Sequence, residues 1–405
     1  MIRLSIFSVM TLVMIAGSAL TLLAANLPEV KFEKYKLPNG LEVILHEDHS
    51  TPLVSVNVWY HVGSKNEKLG RTGFAHLFEH MMFQGSKNHD DDYFTPLQKI
   101  GGTLNGSTSE DRTNYWENVP SNYLEMALWL EADRMGFLLP AMTQKKLDNQ
   151  RDVVKNERRQ RLENQPYIKS YEISLAMLYP TNHPYSWPVI GSMADLSAAS
   201  IEDVSEFFRT YYAPNNASLC VAGDFKPEEA KKLIEKYFAT IPAGPPVDRL
   251  TSWIPQLDGV RRASAEDNVN LSRVYMIWHT PARYKPGDAE FDLISSVLGS
   301  GKTSRLYKSL VYEKQIAQDV TVYQQSQEIS STFNIEVTAR EGHTLDEIEQ
   351  AVEAELNKLM TSGITSGELN EARNEIEAQF VRSLQQVGGF GGRADRTPTC
   401  RDVRL

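Results

Sequence analysis

The sequence has almost no cysteine: Cys220 and Cys400 are the only two in 405 residues. A scaffold stapled by disulfides is therefore excluded, and stability has to come from buried apolar surface. Cys220 sits in the apolar run 217–222 and reads as a buried thiol, whereas Cys400 lies in a polar tail, so no disulfide between them is expected. Positive charge is also short. The 42 Lys and Arg against 52 Asp and Glu leave a net charge of −10, which argues against nucleic acid as a partner, because binding phosphates wants a basic face. Beyond residue 25 no stretch is long and apolar enough to span a bilayer, and no tract is of low complexity. What is there is 41% hydrophobic and 23% charged, a globular composition with apolar material for two cores.

The first 25 residues stand apart. Arg3 precedes an apolar run from Leu4 to Ala25, broken only by Ser, Thr and Gly and ending in Leu23-Ala24-Ala25. This reads as a secretory signal peptide over 1–25, and the expectation is a periplasmic or otherwise exported protein. Leu23 is large for its place near the cut, which keeps an uncleaved anchor as the alternative and makes that segment the one route to a membrane.

Periodicity then organises the chain. Residues 41–47 and 53–60 read as a strand pair around a turn, 72–84 as a helix, and 102–109 and 112–119 as two strands. Helices are expected over 121–137, 143–163 and 200–211, then a strand over 217–223 and a helix from Pro227. The run Ala243-Gly244-Pro245-Pro246-Val247-Asp248 is a linker signal. After it come a strand at 273–278, helices at 287–298 and 303–314, strands at 318–324 and 332–338, and two long helices at 344–361 and 366–385. The expected fold class is α+β: two homologous domains, each a mostly antiparallel sheet packed against helices. The boundaries fall at 26–245 and 250–390, with the second domain incomplete and an irregular tail over 391–405 that suggests truncation or a shifted frame.

One motif carries chemistry. In His76-Leu77-Phe78-Glu79-His80, helical geometry places Phe74, Leu77, Phe78 and Met81 on one face and His76, Glu79 and His80 on the other. Two histidines at i and i+4 can reach one ion, and a carboxylate beside them can hold a water on it. Zinc brings the pKa of bound water to about 7, and Glu79 is placed to take its proton. A catalytic zinc usually has three protein ligands and one open position, so two histidines leave the site one short. Other candidates are weaker. Gly299-Ser300-Gly301-Lys302-Thr303-Ser304 imitates a phosphate loop, but Ser296 stands where that motif needs its first Gly, and a helix precedes it. Asn216-Ala217-Ser218 is an incidental sequon, and the remaining histidines lack metal spacing.

The run Gly73-Phe74-Ala75-His76-Leu77-Phe78-Glu79-His80-Met81-Met82-Phe83-Gln84-Gly85 resembles the pitrilysin, insulin-degrading enzyme and mitochondrial processing peptidase family, whose signature is His-x-x-Glu-His. The resemblance implies one Zn2+ per chain, held by His76, His80 and a Glu just under eighty residues downstream. Glu157, in Arg151-Asp152-Val153-Val154-Lys155-Asn156-Glu157, is the matching residue, 77 positions after His80. It also implies peptide substrates, added as a strand beside Gly101-Gly102-Thr103-Leu104-Asn105-Gly106-Ser107-Thr108, with Asn105, Gly106, Ser107 and Thr108 as contacts. Read alone, that stretch is a glycine-rich hairpin strand. Two departures stand out. Family members often carry a Glu one heptad before the third ligand, where this chain has Gln150, still able to hydrogen-bond a ligand. An Arg and a Tyr that stabilise the oxyanion correspond here to Val311 and Gln318, and such donors are each commonly worth about 10²–10³ in rate. The expectation is the front half of a long bacterial member: a zinc metalloendopeptidase that needs a homologous second half or a partner subunit for full activity. The alternative is a weakly active or inactive peptide-binding or assembly subunit of the same fold.

Overall fold

The computed structural model describes residues 30–388, so the expected leader at 1–25, the tail at 391–405 and Cys400 lie outside the described residues. The chain divides into two compact units. The first takes in residues up to 165, 175–249 and the stretch from 381; the second takes in 166–174 and 250–380.

In the first unit the elements run β1 (Glu33–Lys36), β2 (Glu42–Glu47), β3 (Leu53–Tyr60), α1 (Phe74–Met81), α2 (Phe94–Lys99), β4 (Thr103–Thr108), β5 (Thr113–Pro120), α3 (Leu124–Phe137) and α4 (Gln144–Arg158). Then come α5 (Lys169–Leu178), which straddles the division at 174, α6 (Met193–Ala198), α7 (Ile201–Tyr211), β6 (Ala217–Gly223) and α8 (Pro227–Phe238). The strands form one sheet in the order β1-β2-β6-β3-β5-β4. All neighbours are antiparallel except β2 and β6, which run parallel with Val43 beside Leu219.

This corrects the expected pairing of 41–47 with 53–60. The two strands do not touch in the ladder, because β6 lies between them. The reason is apolarity: Ala217–Gly223 is buried at every position and takes a central place with a neighbour on both sides. Alternation sends Val54, Val56, Val58 and Tyr60 of β3 into the main core with Val43, Leu45, Leu219 and Val221, against Phe74, Leu77, Phe78 and Met81 of α1. Ile44, Trp59, Cys220 and Ala222 make a smaller cluster on the other face, so Cys220 is buried as expected.

Inside the main core lies a charged group. Arg134 of α3 is 1% exposed and Glu131 0%, and Arg134 Nε donates to Glu131 Oε2 at 2.9 Å. The guanidinium lies over the rings of Tyr115 (4.3 Å), Tyr93 (4.6 Å) and Phe83 (5.6 Å). Glu117 of β5 is buried beside them, and burial, with Glu131 adding to it, pushes its carboxyl well above the usual range. Glu117 is therefore neutral, and Arg134 and Glu131 form the ion pair.

The second unit holds β7 (Arg273–Thr280), α9 (Asp288–Gly299), β8 (Ala317–Gln325), β9 (Ser331–Ala339), α10 (Leu345–Ser362) and α11 (Ser366–Ser383). Its antiparallel sheet, β7-β9-β8, repeats the β3-β5-β4 portion of the first sheet, with a helical crossover, a hairpin and then two long helices in the same succession. Counterparts of β1, β2 and β6 do not occur among its described residues. The expected α-helix at 303–314 is replaced by a π-helical stretch, Tyr307–Glu313, whose Leu310 and Val311 enter the second core. Gln318 is exposed on β8.

Arg305 grips α11 through Glu368, with Nε to Oε1 at 2.6 Å and Nη2 to Oε2 at 2.8 Å. The Arg305 hydrogen bonds, offset in part by burial, bring the Glu368 carboxyl down to about 2. A depressed carboxyl contributes stability above its unfolded pKa, about 4.3, and loses it as pH falls toward the folded value. The second unit is thus expected to weaken between about pH 5 and 2 in the native chain, and Glu368→Gln should flatten that limb in acid-unfolding curves. An unchanged slope in the variant would remove this pair from the account.

Candidate metal centre

Two helices bring the site together. α1 supplies His76, Glu79 and His80, and its apolar side (Phe74, Ala75, Leu77, Phe78, Met81) is buried as the stripe predicts. α4, capped by Thr143, supplies Glu157 in its last turn. Oε2 of Glu157 lies 3.2 Å from His80 Nε2 and 3.6 Å from His76 Nε2, and the two imidazoles meet edge to face with centroids 4.8 Å apart. One donor atom from each residue falls within 4.8 Å of the others, and no other trio of His, Cys and carboxylates does so among the described residues.

These spacings can be tested against a metal. Ligands at about 2.05 Å in a tetrahedron sit about 3.3 Å apart, close to both carboxylate distances, and two His with one carboxylate is a common catalytic zinc set. Protonation agrees. Burial, with His80 adding to it, brings His76 down to about 4, so it is a neutral imidazole with a lone pair to give. The hydrogen bond to His80 holds Glu157 below the usual carboxylate range, so it is an anion.

Glu79 stands beside the trio. Burial raises its carboxyl, and the Thr108 hydroxyl works against that by donating to Oε2 at 2.6 Å. Thr108 ends β4, the edge strand of the first sheet. A Cβ on Gly106 would lie 3.2 Å from Glu79 Cγ and 3.1 Å from the rings of Phe83 and Tyr115, so glycine lets this edge approach the motif helix closely. Asn105 is exposed, and its Oδ1 accepts from Gly106 N at 2.8 Å. Ser107 donates to Asn114 Oδ1 at 2.8 Å, and its carbonyl accepts from Arg112 Nη1 at 2.7 Å. Of the four strand residues, Thr108 is therefore turned to Glu79 and Asn105 outward.

Gln150 is buried in α4, two turns before Glu157. The second oxygen of Glu157 is instead held by Arg161, whose Nε lies 3.0 Å from Oε1. Arg161 sits in a π-helical turn, Arg159–Glu163, directly after α4. Its i,i+4 spacing from Glu157 is a signal the sequence carries. The tie between Thr108 and Glu79 had no sequence signal, because it joins a strand to a helix 29 residues away.

Comparison with known proteins bears on this geometry. Residues 42–178 match the family model described as insulinase (peptidase family M16), and residues 198–376 match one described as the peptidase M16 inactive domain. None of His76, Glu79, His80 and Glu157 falls in the latter stretch. The zinc protease PqqE of Helicobacter pylori is 31% identical over 369 residues, covering 89% of this chain and 82% of that protein. The crystal structure of a protease from Helicobacter pylori superposes with a TM-score of 0.82 at 31% identity, covering 89% of this chain and 87% of the other. The first half of the periplasmic protease PqqL from Escherichia coli shares the fold, with a TM-score of 0.71 at 20% identity over 90% of this chain and 80% of that one.

Proposed function

The chain belongs to the insulinase family of M16 peptidases, and from that premise we propose that it is a zinc-dependent endopeptidase acting on extended peptides. The observation that carries the reading is the convergence of His76, His80 and Glu157 beside a carboxylate that is not among them, Glu79. Zinc held by the trio would polarise the scissile carbonyl and acidify water. Glu79 takes the proton from the attacking water and passes it to the leaving amine. Its raised affinity for protons suits that exchange, and Thr108 keeps one oxygen in a fixed direction while the other is left for the water. The outer edge of β4 offers backbone groups to a peptide that adds as a strand, and Asn105 offers its exposed amide.

Oxyanion donors are the weak part of the chain. Val311 is a buried aliphatic side chain with nothing to donate, and Gln318 offers an amide where the family has the phenol of a Tyr. The proposal therefore includes a second contribution, from a homologous half or a separate subunit. One structural neighbour, itself the first half of a longer protease, supports the first of these. The same two positions favour the second reading, a peptide-binding subunit without turnover.

The deciding experiment is hydrolysis of an unstructured peptide of about thirty residues, a length suited to strand addition, by the purified chain, with zinc content measured in the same sample. Turnover abolished by chelator supports a self-sufficient peptidase. Stoichiometric zinc without turnover supports a metal half that requires a partner. Neither zinc nor turnover would end the enzyme reading.

A further inference from the structure

The turn that leads into α1 contains a buried carboxylate that the metal centre does not use. The residue before the helix is Gly73, which has no side chain to cap it, so the amides of the first turn need an acceptor from elsewhere. Glu67, six residues earlier, is that acceptor. Its Oε2 accepts from Gly73 N at 2.9 Å and its Oε1 from Ala75 N at 2.8 Å. Trp187 Nε1 donates to the same Oε2 at 3.1 Å and also reaches the carbonyl of Ser64 at 3.2 Å. Glu67 is 8% exposed; burial pushes its carboxyl up to about 8, and the amide and indole hydrogen bonds act against that.

The neighbours of this turn are tied as firmly. Asp195 Oδ2 accepts from the amide of Thr72 at 2.9 Å and from its hydroxyl at 2.5 Å. Lys65 pairs with Asp111 at 3.0 Å, and Tyr185 donates to the same carboxylate at 2.5 Å. Gly73 packs under the carbonyl of Ile190, where a Cβ would come within 2.6 Å, and holds a φ of +87°. The helix has only eight residues, too few to be stable without such outside support. Its third residue is His76, so the two amides bound by Glu67 lie directly before the first metal-binding side chain.

We propose that Glu67 is a positioning residue for the metal centre: it caps α1 from outside the helix and fixes the backbone from which His76, Glu79 and His80 project. The inference rests on reading His76, His80 and Glu157 as a metal site, and it assigns a role to a residue that touches neither metal nor substrate. Partners that orient ligands typically change metal affinity by about 10–100-fold when removed, and Glu67 acts at one further remove, through the ligand's own backbone.

The test uses the full chain with Glu67→Ala and Glu67→Gln. Zinc affinity is read by competition with a chromophoric chelator, and amide exchange is followed at Ala75–Phe78. The glutamine keeps one acceptor oxygen but turns an NH₂ toward the second amide, so the two variants should fall in order. The expected result is faster exchange at Ala75–Phe78 in both, with β3 and β6 protected as in the native chain. Zinc affinity should fall about 10–100-fold in Glu67→Ala and less in Glu67→Gln. A loss of packing alone would not produce that order with an intact sheet. If Glu67→Ala unfolds, Glu67→Gln decides. A folded variant with native exchange at Ala75–Phe78 and native zinc affinity overturns the inference. A native chain that binds no zinc sinks the metal reading instead, and exchange at Ala75–Phe78 then decides the capping role by itself.

Discussion

Glu79→Gln is expected to leave the fold and the zinc content unchanged and to lower kcat on a peptide substrate by about 10²–10⁴. Glutamine has the same shape and keeps an oxygen for the Thr108 hydroxyl, which donates to Glu79 at 2.6 Å. What it would lose, under the proposed mechanism, is the ability to take a proton from water and return it to the amine. The proposed ligands His76, His80 and Glu157 are untouched, so zinc content and KM should change little. Thr108→Val is the graded companion. It leaves the base in place but frees it to rotate, and a hydrogen bond to a charged group is worth about 1.5–3 kcal/mol, so a loss of about 10–10² in kcat is expected. Steady-state kinetics on both variants, with metal analysis of the same samples, checks the pair. Activity unchanged in Glu79→Gln would mean that any hydrolysis comes from somewhere else.

The second large effect is on stability. Arg134→Met should destabilise the first unit by about 3–5 kcal/mol, because it strands a buried anion on Glu131. Arg134 and Glu131 are 1% and 0% exposed, and Glu117 is already driven to its neutral form by burial. Methionine can fill much of the space over Tyr115 and Tyr93, so the loss should come from charge rather than from a cavity. The double variant Arg134→Met, Glu131→Leu tests this directly, since removing both partners of a buried pair is often nearly neutral. Urea unfolding followed by exchange of the β3 and β5 amides isolates the first unit. A single variant costing under about 1 kcal/mol would show that Glu131 takes up a proton in its place, and the pair would then carry no weight.

These residues show how far a sequence can be read. His76, Glu79 and His80 were legible because one helix face brings them together within five residues, and their apolar counterparts mark the opposite face. Glu157 was legible through family resemblance, since nothing in a polar helix 77 residues away announces a ligand. The resemblance implies Thr108 as a substrate contact, and the structure adds a bond from its hydroxyl to Glu79 that the sequence does not signal. Glu67 has no sequence signal, because a helix cap ordinarily lies at the residue before the helix, not six positions earlier in a turn. In the fold, strands and helices with long clear periods fell within a few residues of expectation. The elements β1, α2, α5 and α6 are not among those the sequence reading expects. The pairing of β2 with β6 is a tertiary fact, decided by which strand needs burial on both sides.

That pairing bears on how the chain folds as it is made. β2 and β3 are synthesised early and lie close in sequence, yet the strand that belongs between them starts at Ala217, more than 150 residues after β3 ends. A nascent chain has α1 and α4, and hence all four residues of the proposed site, well before it has the middle of its sheet. Until β6 arrives, facing edges of β2 and β3 have no lasting partner, and the ladder must close over a long loop, which is slow. The site is thus assembled on a platform completed late, and the interval is when a holding chaperone would matter most.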